Sequence, residues 1–232
     1  MSDDMSRPAV APDTAAIDAN NEIVDRLVAG FETPLYRFLR HHRGKAHLLA
    51  FLLAVVWATP RFPQVLLGLP LIVIGLGIRA WASGYLAKNI GICAAGPYVY
   101  CRHPMYLATF IIIAGIAVAG NNFYMSLVAV ALTVVTYVIS IRREEALLRH
   151  LHGEDYTRYC RVIPCLFPRL TSDPEFRDPR PFAWKLAMHN RIHEQVGGVL
   201  LLLVIFAAKA IVLAHYGYVY PLTYGLWPRP WG

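Results

Sequence analysis

The sequence predicts an all-α protein that crosses a membrane about five times. Three observations predict this class: 56% of the 232 residues are hydrophobic, only 16% are charged, and long apolar runs alternate with short turns rich in proline, glycine and asparagine. A soluble domain of this length would need more charge to cover its surface. A spanning helix needs about 20 mostly apolar residues, and fewer where a turn shortens it.

Five apolar segments are candidate spans, and they cover residues 46–58, 64–86, 105–119, 123–141 and 196–214. The second contains Pro70 and several glycines, whose small size permits close helix contact in lipid. The third and fourth are joined by Gly120-Asn121-Asn122 and therefore form a hairpin. The fifth contains Lys209, and we expect its ammonium to extend outward to the interface.

Arginine and lysine collect before the first span, before the third span and after the fourth. By the positive-inside rule this distribution predicts a cytosolic N-terminus, five crossings and an external C-terminus. We expect a bacterial inner membrane, with the polar segments on the cytosolic face. The net charge of +7 is then mainly a topology signal, and it requires no nucleic acid as a partner.

The pattern divides the chain into five regions. They are a disordered tail at 1–20, an amphipathic interfacial helix at 21–45, a transmembrane core at 46–170, a cytosolic connector with an interfacial helix at 171–195, and a fifth span with an aromatic tail at 196–232.

Polar residues of the core collect in two segments that the hairpin brings to one membrane face, at 88–106 and 142–169. Taken alone, Glu144 and Glu145 can be solvated charges that close the fourth helix and pair with nearby arginines. His103 precedes a proline and can equally be a simple helix entry. The convergence of both segments at one depth is what indicates a polar site.

Three motifs in these segments, "GPYVYCRHPMYL", "RREEALL" and "HGEDYTRYCRVIPCLFP", resemble the isoprenylcysteine carboxyl methyltransferase and phospholipid methyltransferase superfamily of integral membrane enzymes. The resemblance covers about residues 84–168. It implies S-adenosylmethionine as the methyl donor and S-adenosylhomocysteine as the product. It also implies a cofactor pocket at the cytosolic ends of the core helices, and a membrane lipid or lipophilic small molecule as the acceptor.

The resemblance also implies the site residues, position by position. The donor-binding positions are Ile90, Gly91, Ile92, Cys93, Tyr98, Tyr100, Arg102, His103, Pro104, Met105, Tyr106, Glu144, Tyr156 and Tyr159. The candidate catalytic residues are Glu145, Arg142 and Arg143. These residue types suit the donor, because a carboxylate and tyrosine faces attract a sulfonium, and a basic side chain can hold a carboxylate.

The sequence does not determine the chemical class of the methyl acceptor. Prenylcysteine-acting members have an arginine one turn before the cofactor glutamate, whereas this chain has Ser140. A carboxylate acceptor needs only alignment, but a lipid amine or a small thiol must lose a proton, for which Glu145 or His150 could act as general base.

Two alternatives also stay open: a membrane sterol-type reductase of the same superfamily that uses a nicotinamide cofactor, and a non-catalytic membrane scaffold. A histidine-rich metal oxidase is disfavoured, because most of the nine histidines are scattered and His189 and His193 form only one spaced pair. The four cysteines lack the spacing of a zinc site. We therefore predict no metal site.

Overall fold

The computed structural model describes residue 52 and residues 55–86, 92–171, 173, 176 and 178–216. Over these residues the protein is helical and contains no strand, which confirms the predicted class. Three helices are long and apolar enough to cross a membrane, and a shorter apolar helix accompanies them. The regions predicted at 1–20 and 21–45, most of the first span and the aromatic tail lie outside the described residues.

The helices that follow are α1 Phe62–Ser83, α2 Pro104–Gly120, α3 Phe123–Val162, α4 Trp184–His189 and α5 Ile192–Tyr216. Residues 55–57, at the end of the predicted first span, are also helical. The predicted second, third and fifth spans agree with α1, α2 and α5 to within a few residues. The hairpin turn between the third and fourth spans is also present.

The predicted end of the fourth helix is wrong. Helix α3 does not close at Glu144 and Glu145 but continues to Val162, and it is 40 residues long in total. The sequence beyond the apolar part is rich in arginine, glutamate and leucine, which favour helix as strongly as the apolar part does. The change from apolar to charged composition therefore indicates the end of the lipid-facing part and not the end of the helix.

The predicted helix in the connector is also shorter than expected. Helix α4 ends at His189, and Arg191 has a φ of 58°, a left-handed conformation that separates α4 from α5. His189 and His193 consequently lie on different helices. The buried Asn190 between them donates from its side-chain nitrogen to the carbonyl oxygens of Ser83 and Leu86, each at 2.8 Å.

The chain forms two compact units. Among the described residues, those within 78–107 and 137–192 form the polar unit, and those within 52–77, 108–136 and 193–216 form the apolar unit. The core of the polar unit is a cluster of the buried residues Ala94, Tyr156, Tyr159 and Ile163. The core of the apolar unit is a cluster of the buried residues Ala58, Ala119, Leu202 and Phe206.

Within the apolar unit, α1 and α2 pack closely through small residues, as the glycines predict. A Cβ atom on Gly68 would lie 2.3 Å from the carbonyl oxygen of Gly115, and one on Gly75 would lie 2.6 Å from the Ile112 side chain. Because lipid is as apolar as a side chain, such contacts hold helices together by packing and not by the hydrophobic effect.

The expectation for Lys209 is wrong. Its ammonium does not extend outward but donates to the carbonyl oxygens of Val55, Val56 and Ala58, at 2.8, 3.0 and 2.7 Å. In a continuing helix the Val56 carbonyl would accept from residue 60, which is a proline and has no N–H. Lys209 therefore satisfies carbonyls that the end of the first span leaves without helical partners.

We predict that Gly68→Ala lowers the stability of the protein by about 1–3 kcal/mol, because the added methyl group forces backbone apart. Gly77→Ala is the matched control on the same helix, since a Cβ there meets nothing within 4 Å. Thermal unfolding of both variants in detergent tests this. Equal unfolding midpoints for the two variants would contradict the role assigned to the α1–α2 contact.

Candidate functional site

A cavity in the polar unit contains residues from both predicted polar segments. Its volume is about 180 Å³, which is below the roughly 300–1,000 Å³ of most small-molecule sites, and it is partly open to solvent, so a larger ligand would extend beyond it. The lining residues are Leu86, Ile92, Cys93, Tyr98, Arg102, His103, Glu144, Leu147, Leu148, Leu151, His152, Tyr156 and Tyr159. The lining combines aliphatic side chains with charged and aromatic ones.

One wall of the cavity is the segment that carries Arg102 and His103. Backbone hydrogen bonds hold this wall to the segment that follows α3. The Arg102 N–H donates to the Pro164 carbonyl at 2.9 Å, and the His103 N–H donates to the Cys165 carbonyl at 3.1 Å. Immediately before this wall, Gly96 begins a 3₁₀ turn with a φ of 56°, which a residue without a Cβ adopts easily. The position of both basic side chains is therefore fixed by main-chain contacts.

Tyr159 holds the segment that precedes this wall in the chain. Its hydroxyl lies 2.7 Å from the Tyr98 carbonyl oxygen and 3.3 Å from the Cys93 carbonyl oxygen, and donates to them. The ring of Tyr156 lies beside it, with 6.1 Å between ring centroids. Both tyrosines are buried, so the aromatic segment after Gly153 is part of the structure around the cavity.

Glu145 is the centre of the charged cluster. One of its oxygens lies 2.7 Å from an Arg102 guanidinium nitrogen and 3.3 Å from His103 Nε2, and the other lies 3.1 Å from Arg149. A carboxylate only accepts hydrogen bonds, so the contact with His103 requires the proton on Nε2. This ion-paired carboxylate connects the middle of α3 to the wall before α2.

Glu144 has a different environment, although it is the next residue. Its side chain is 41% exposed, against 13% for Glu145, and it lines the cavity. The Tyr106 hydroxyl donates to it at 3.2 Å, and His103 Nδ1 lies 3.8 Å from the same oxygen. Glu144 therefore has an open side that a ligand can reach, whereas Glu145 is enclosed by its partners.

Burial and charge set the protonation of the groups that line the cavity. Burial alone would lower the pKa of Arg102, but the adjacent Glu145 carboxylate outweighs burial and raises it. Burial also raises the pKa of the Tyr98 hydroxyl and of the Cys93 thiol. At neutral pH the wall therefore presents a cationic guanidinium, a neutral phenol and a neutral thiol.

The Tyr98 hydroxyl is buried and has no hydrogen-bond partner among the described residues. A buried polar atom without a partner costs free energy, and native sites tolerate this cost where a ligand completes the bond. The orphaned hydroxyl lies in the lining of the cavity, which supports a polar ligand there.

The structure places the predicted residues in three groups. Those that line the cavity are Ile92, Cys93, Tyr98, Arg102, His103, Glu144, Tyr156 and Tyr159. Those that lie next to the lining or away from it are Tyr100, Pro104, Met105, Tyr106, Glu145, Arg142 and Arg143. Ile90 and Gly91 lie outside the described residues. Arg142 is exposed and Arg143 is partly buried, and the cavity lining includes neither.

Several lining residues were missed by the sequence analysis. Leu147, Leu148 and Leu151 follow Glu144 at intervals of three and four, which places all of them on one helix face. That spacing was readable from the sequence, but the predicted helix end at the glutamates concealed it. His152, and not His150, lines the cavity.

A partly buried arginine was also missed. Arg79 lies within α1, and its guanidinium donates to the Met105 carbonyl at 3.0 Å. The partner carbonyl belongs to the first turn of α2, two residues after His103. Arg79 therefore stabilises the helix entry that carries the motif, a role that sequence spacing does not indicate.

Part of the chain is similar to a known family. Residues 63–155 match the phospholipid methyltransferase family. The match includes α2, the His103 wall and both glutamates, and it confirms the resemblance found from the motifs. No solved structure matches the chain.

Two curated relatives are similar over a longer part of the chain. The nickel-cobalt-cadmium resistance protein NccN of Alcaligenes xylosoxydans xylosoxydans is 27% identical over 151 residues, which cover 60% of this chain and 70% of the relative. The cobalt-zinc-cadmium resistance protein CzcN of Cupriavidus metallidurans is 28% identical over 158 residues, which cover 62% and 71%.

We predict that Gly153→Ala distorts this site. Gly153 has a φ of 48° and a ψ of −118° inside α3, while a Cβ there would meet nothing within 4 Å. The strain is therefore purely conformational, and we expect a loss of about 1–3 kcal/mol of stability. Gly197→Ala, in α5 and also open to space, is the matched control. Unfolding midpoints that are equal in the two variants would contradict this prediction.

Proposed function

We propose that this protein is an integral membrane methyltransferase that transfers a methyl group from S-adenosylmethionine to a lipophilic acceptor. The observation that carries the proposal is the joint lining of one cavity by the Arg102-His103 wall and by Glu144 of α3. We further propose that the cavity opens to the cytosol of a bacterial cell, where the soluble donor is available.

The lining fits the donor group by group. When bound, S-adenosylmethionine supplies an electrophilic methyl group on a sulfonium. Glu144 has the open carboxylate side that a donor ammonium can reach, and Arg102 and His103 provide basic groups for its carboxylate. Tyr98 offers an unused hydroxyl, and the leucines of α3 offer an apolar surface for the adenine ring.

Glu145 is better explained as a positioning residue than as a general base. It already contacts Arg102, His103 and Arg149, and three such partners stabilise its charged form. A carboxylate stabilised in this way takes a proton poorly. In this proposal it orients Arg102 and His103, and methyl transfer depends mainly on alignment, which is worth up to about 7–11 kcal/mol in well-aligned systems.

The same site suggests a test of the acceptor class. An acceptor that is already anionic needs no general base, and the site then only has to align it with the methyl group. An amine or thiol acceptor must lose a proton, and His152 is the lining residue with suitable chemistry. A His152→Ala variant that stops methylation without changing donor affinity would indicate an acceptor that loses a proton.

We predict that His103→Ala and Glu144→Gln each weaken donor binding at least about tenfold, which corresponds to about 1.4 kcal/mol. Calorimetric titration of the protein in nanodiscs with S-adenosylmethionine measures this. Glu154→Gln is the matched control, because Glu154 is an exposed acid on the same helix. Donor affinity that is unchanged in both site variants would refute the site, provided that both variants unfold at the wild-type temperature.

The reductase alternative is tested with the same sample. Binding of a reduced nicotinamide cofactor in place of S-adenosylmethionine would favour a sterol-type reductase, and binding of neither would favour a scaffold. The motif match includes both halves of the proposed donor site and favours methyl transfer.

The natural acceptor can be found with isotopically labelled donor and membranes that contain the protein. Because both curated relatives are named for resistance to divalent metals, membranes from metal-exposed cells are the first to test. A labelled lipid or small molecule that requires Glu144 would identify the acceptor.

A further inference from the structure

Three side chains of the types that bind metal ions come together next to the cavity, from separate parts of the chain. They are His103 before α2, Glu145 on α3 and Cys165 on the returning segment, and one ligand atom from each lies within 4.8 Å of the other two. His103 is buried, and the other two are partly buried. The spacing of these residues in the sequence gives no hint of the cluster, which explains why we predicted no metal site.

The donor set is selective. An imidazole nitrogen, a carboxylate oxygen and a thiol sulfur together suit borderline and soft divalent ions such as Zn²⁺ and Cd²⁺. Mg²⁺ and Ca²⁺ require oxygen ligands and are disfavoured by this set. A second thiol, that of Cys160, lies 2.7 Å from the Arg102 nitrogen that also contacts Glu145, so the surroundings are rich in sulfur.

We propose that His103, Glu145 and Cys165 form a binding site for a soft divalent cation, with a fourth coordination position left for solvent. Bonds of about 2.0–2.3 Å in a tetrahedral site hold ligand atoms roughly 3.3–3.8 Å apart. His103 Nε2 and the Glu145 oxygen already lie 3.3 Å apart, and any separation that reaches 4.8 Å must close by about 1 Å. Rotation of the Glu145 and Cys165 side chains provides this movement. The Cys165 thiol releases its proton to solvent, and the His103 proton moves from Nε2 to Nδ1, beside Glu144, so that Nε2 can bind the cation.

Arg102 competes with the cation. Its guanidinium lies 2.7 Å from the Glu145 oxygen that also faces His103, which is the oxygen a metal ion would bind. Two cations cannot share that oxygen at bonding distance without strong repulsion. Metal binding and the Arg102–Glu145 ion pair are therefore mutually exclusive.

This competition has a consequence that rests on the proposed function. A bound cation removes His103 and Arg102 from the arrangement expected to hold S-adenosylmethionine. The metal and the donor then oppose each other's binding by the same factor, as linkage requires. The site would make methyl transfer sensitive to free soft metal ions.

Titration of the purified full-length protein in nanodiscs with Cd²⁺ tests the site directly, by the ultraviolet absorbance of the cadmium–thiolate bond and by calorimetry. We expect Cys165→Ser to weaken Cd²⁺ binding more than about tenfold, because it removes a ligand. Serine at this position keeps the backbone carbonyl that accepts from the His103 N–H. Cys93→Ser is the matched control, since Cys93 lines the same cavity but lies outside the cluster.

Arg102→Gln distinguishes the proposal from a purely structural role for these residues. Removal of the competing guanidinium should strengthen Cd²⁺ binding about tenfold or more, which is opposite in sign to the effect of Cys165→Ser. Wild-type affinity in both variants, or Mg²⁺ binding as strong as Cd²⁺ binding, would overturn the site.

The donor is titrated in separate samples with and without saturating Cd²⁺. A donor affinity that falls with Cd²⁺ in the wild type, but not in Cys165→Ser, supports the competition, and a donor affinity unchanged by bound Cd²⁺ refutes it. A protein that binds Cd²⁺ through Cys165 but never binds S-adenosylmethionine would refute the proposed function and leave the metal site standing.

Discussion

The partly buried carboxylate of Glu145 is the interaction on which the polar unit depends. A carboxylate removed from water must be compensated by positive charge and hydrogen bonds, or it destabilises the fold. Its compensation comes from Arg102 and His103, which belong to a different part of the chain. Since the backbone of these two residues also bonds to Pro164 and Cys165, one ion-pair cluster fixes the wall before α2, the middle of α3 and the returning segment.

The continuation of α3 beyond the two glutamates gives this cluster its geometry. A helix that ended at the glutamates would present them to solvent, and the leucines that follow would have no defined place. Because the helix continues, Glu144 shares a face with Leu147, Leu148 and Leu151 in the cavity lining. The break in helical geometry at Gly153 then redirects the chain, and Tyr156 and Tyr159 are buried beyond it.

The apolar unit follows simpler rules. Its helices contact each other where glycines remove side-chain bulk, as at Gly68 and Gly115, and this role was predictable because small residues at helical spacing have few other uses in lipid. Lys209 was not predictable in the same way. A lysine in a span satisfies its charge with whichever acceptors lie nearest, and those are the carbonyls at 55, 56 and 58.

The sequence alone determined the all-helical membrane class, the positions of α1, α2 and α5, and the motif residues that converge on the cavity, because hydropathy and local turn chemistry are carried by neighbouring residues. Only the tertiary structure decided that Glu144 is open to the cavity while Glu145 is enclosed by its partners. It also decided that His152, and not His150, lines the cavity, and that Cys165 lies near His103. These outcomes depend on side-chain direction and on contacts between distant segments. Adjacent residues with the same chemistry become different groups only when the rest of the chain packs around them.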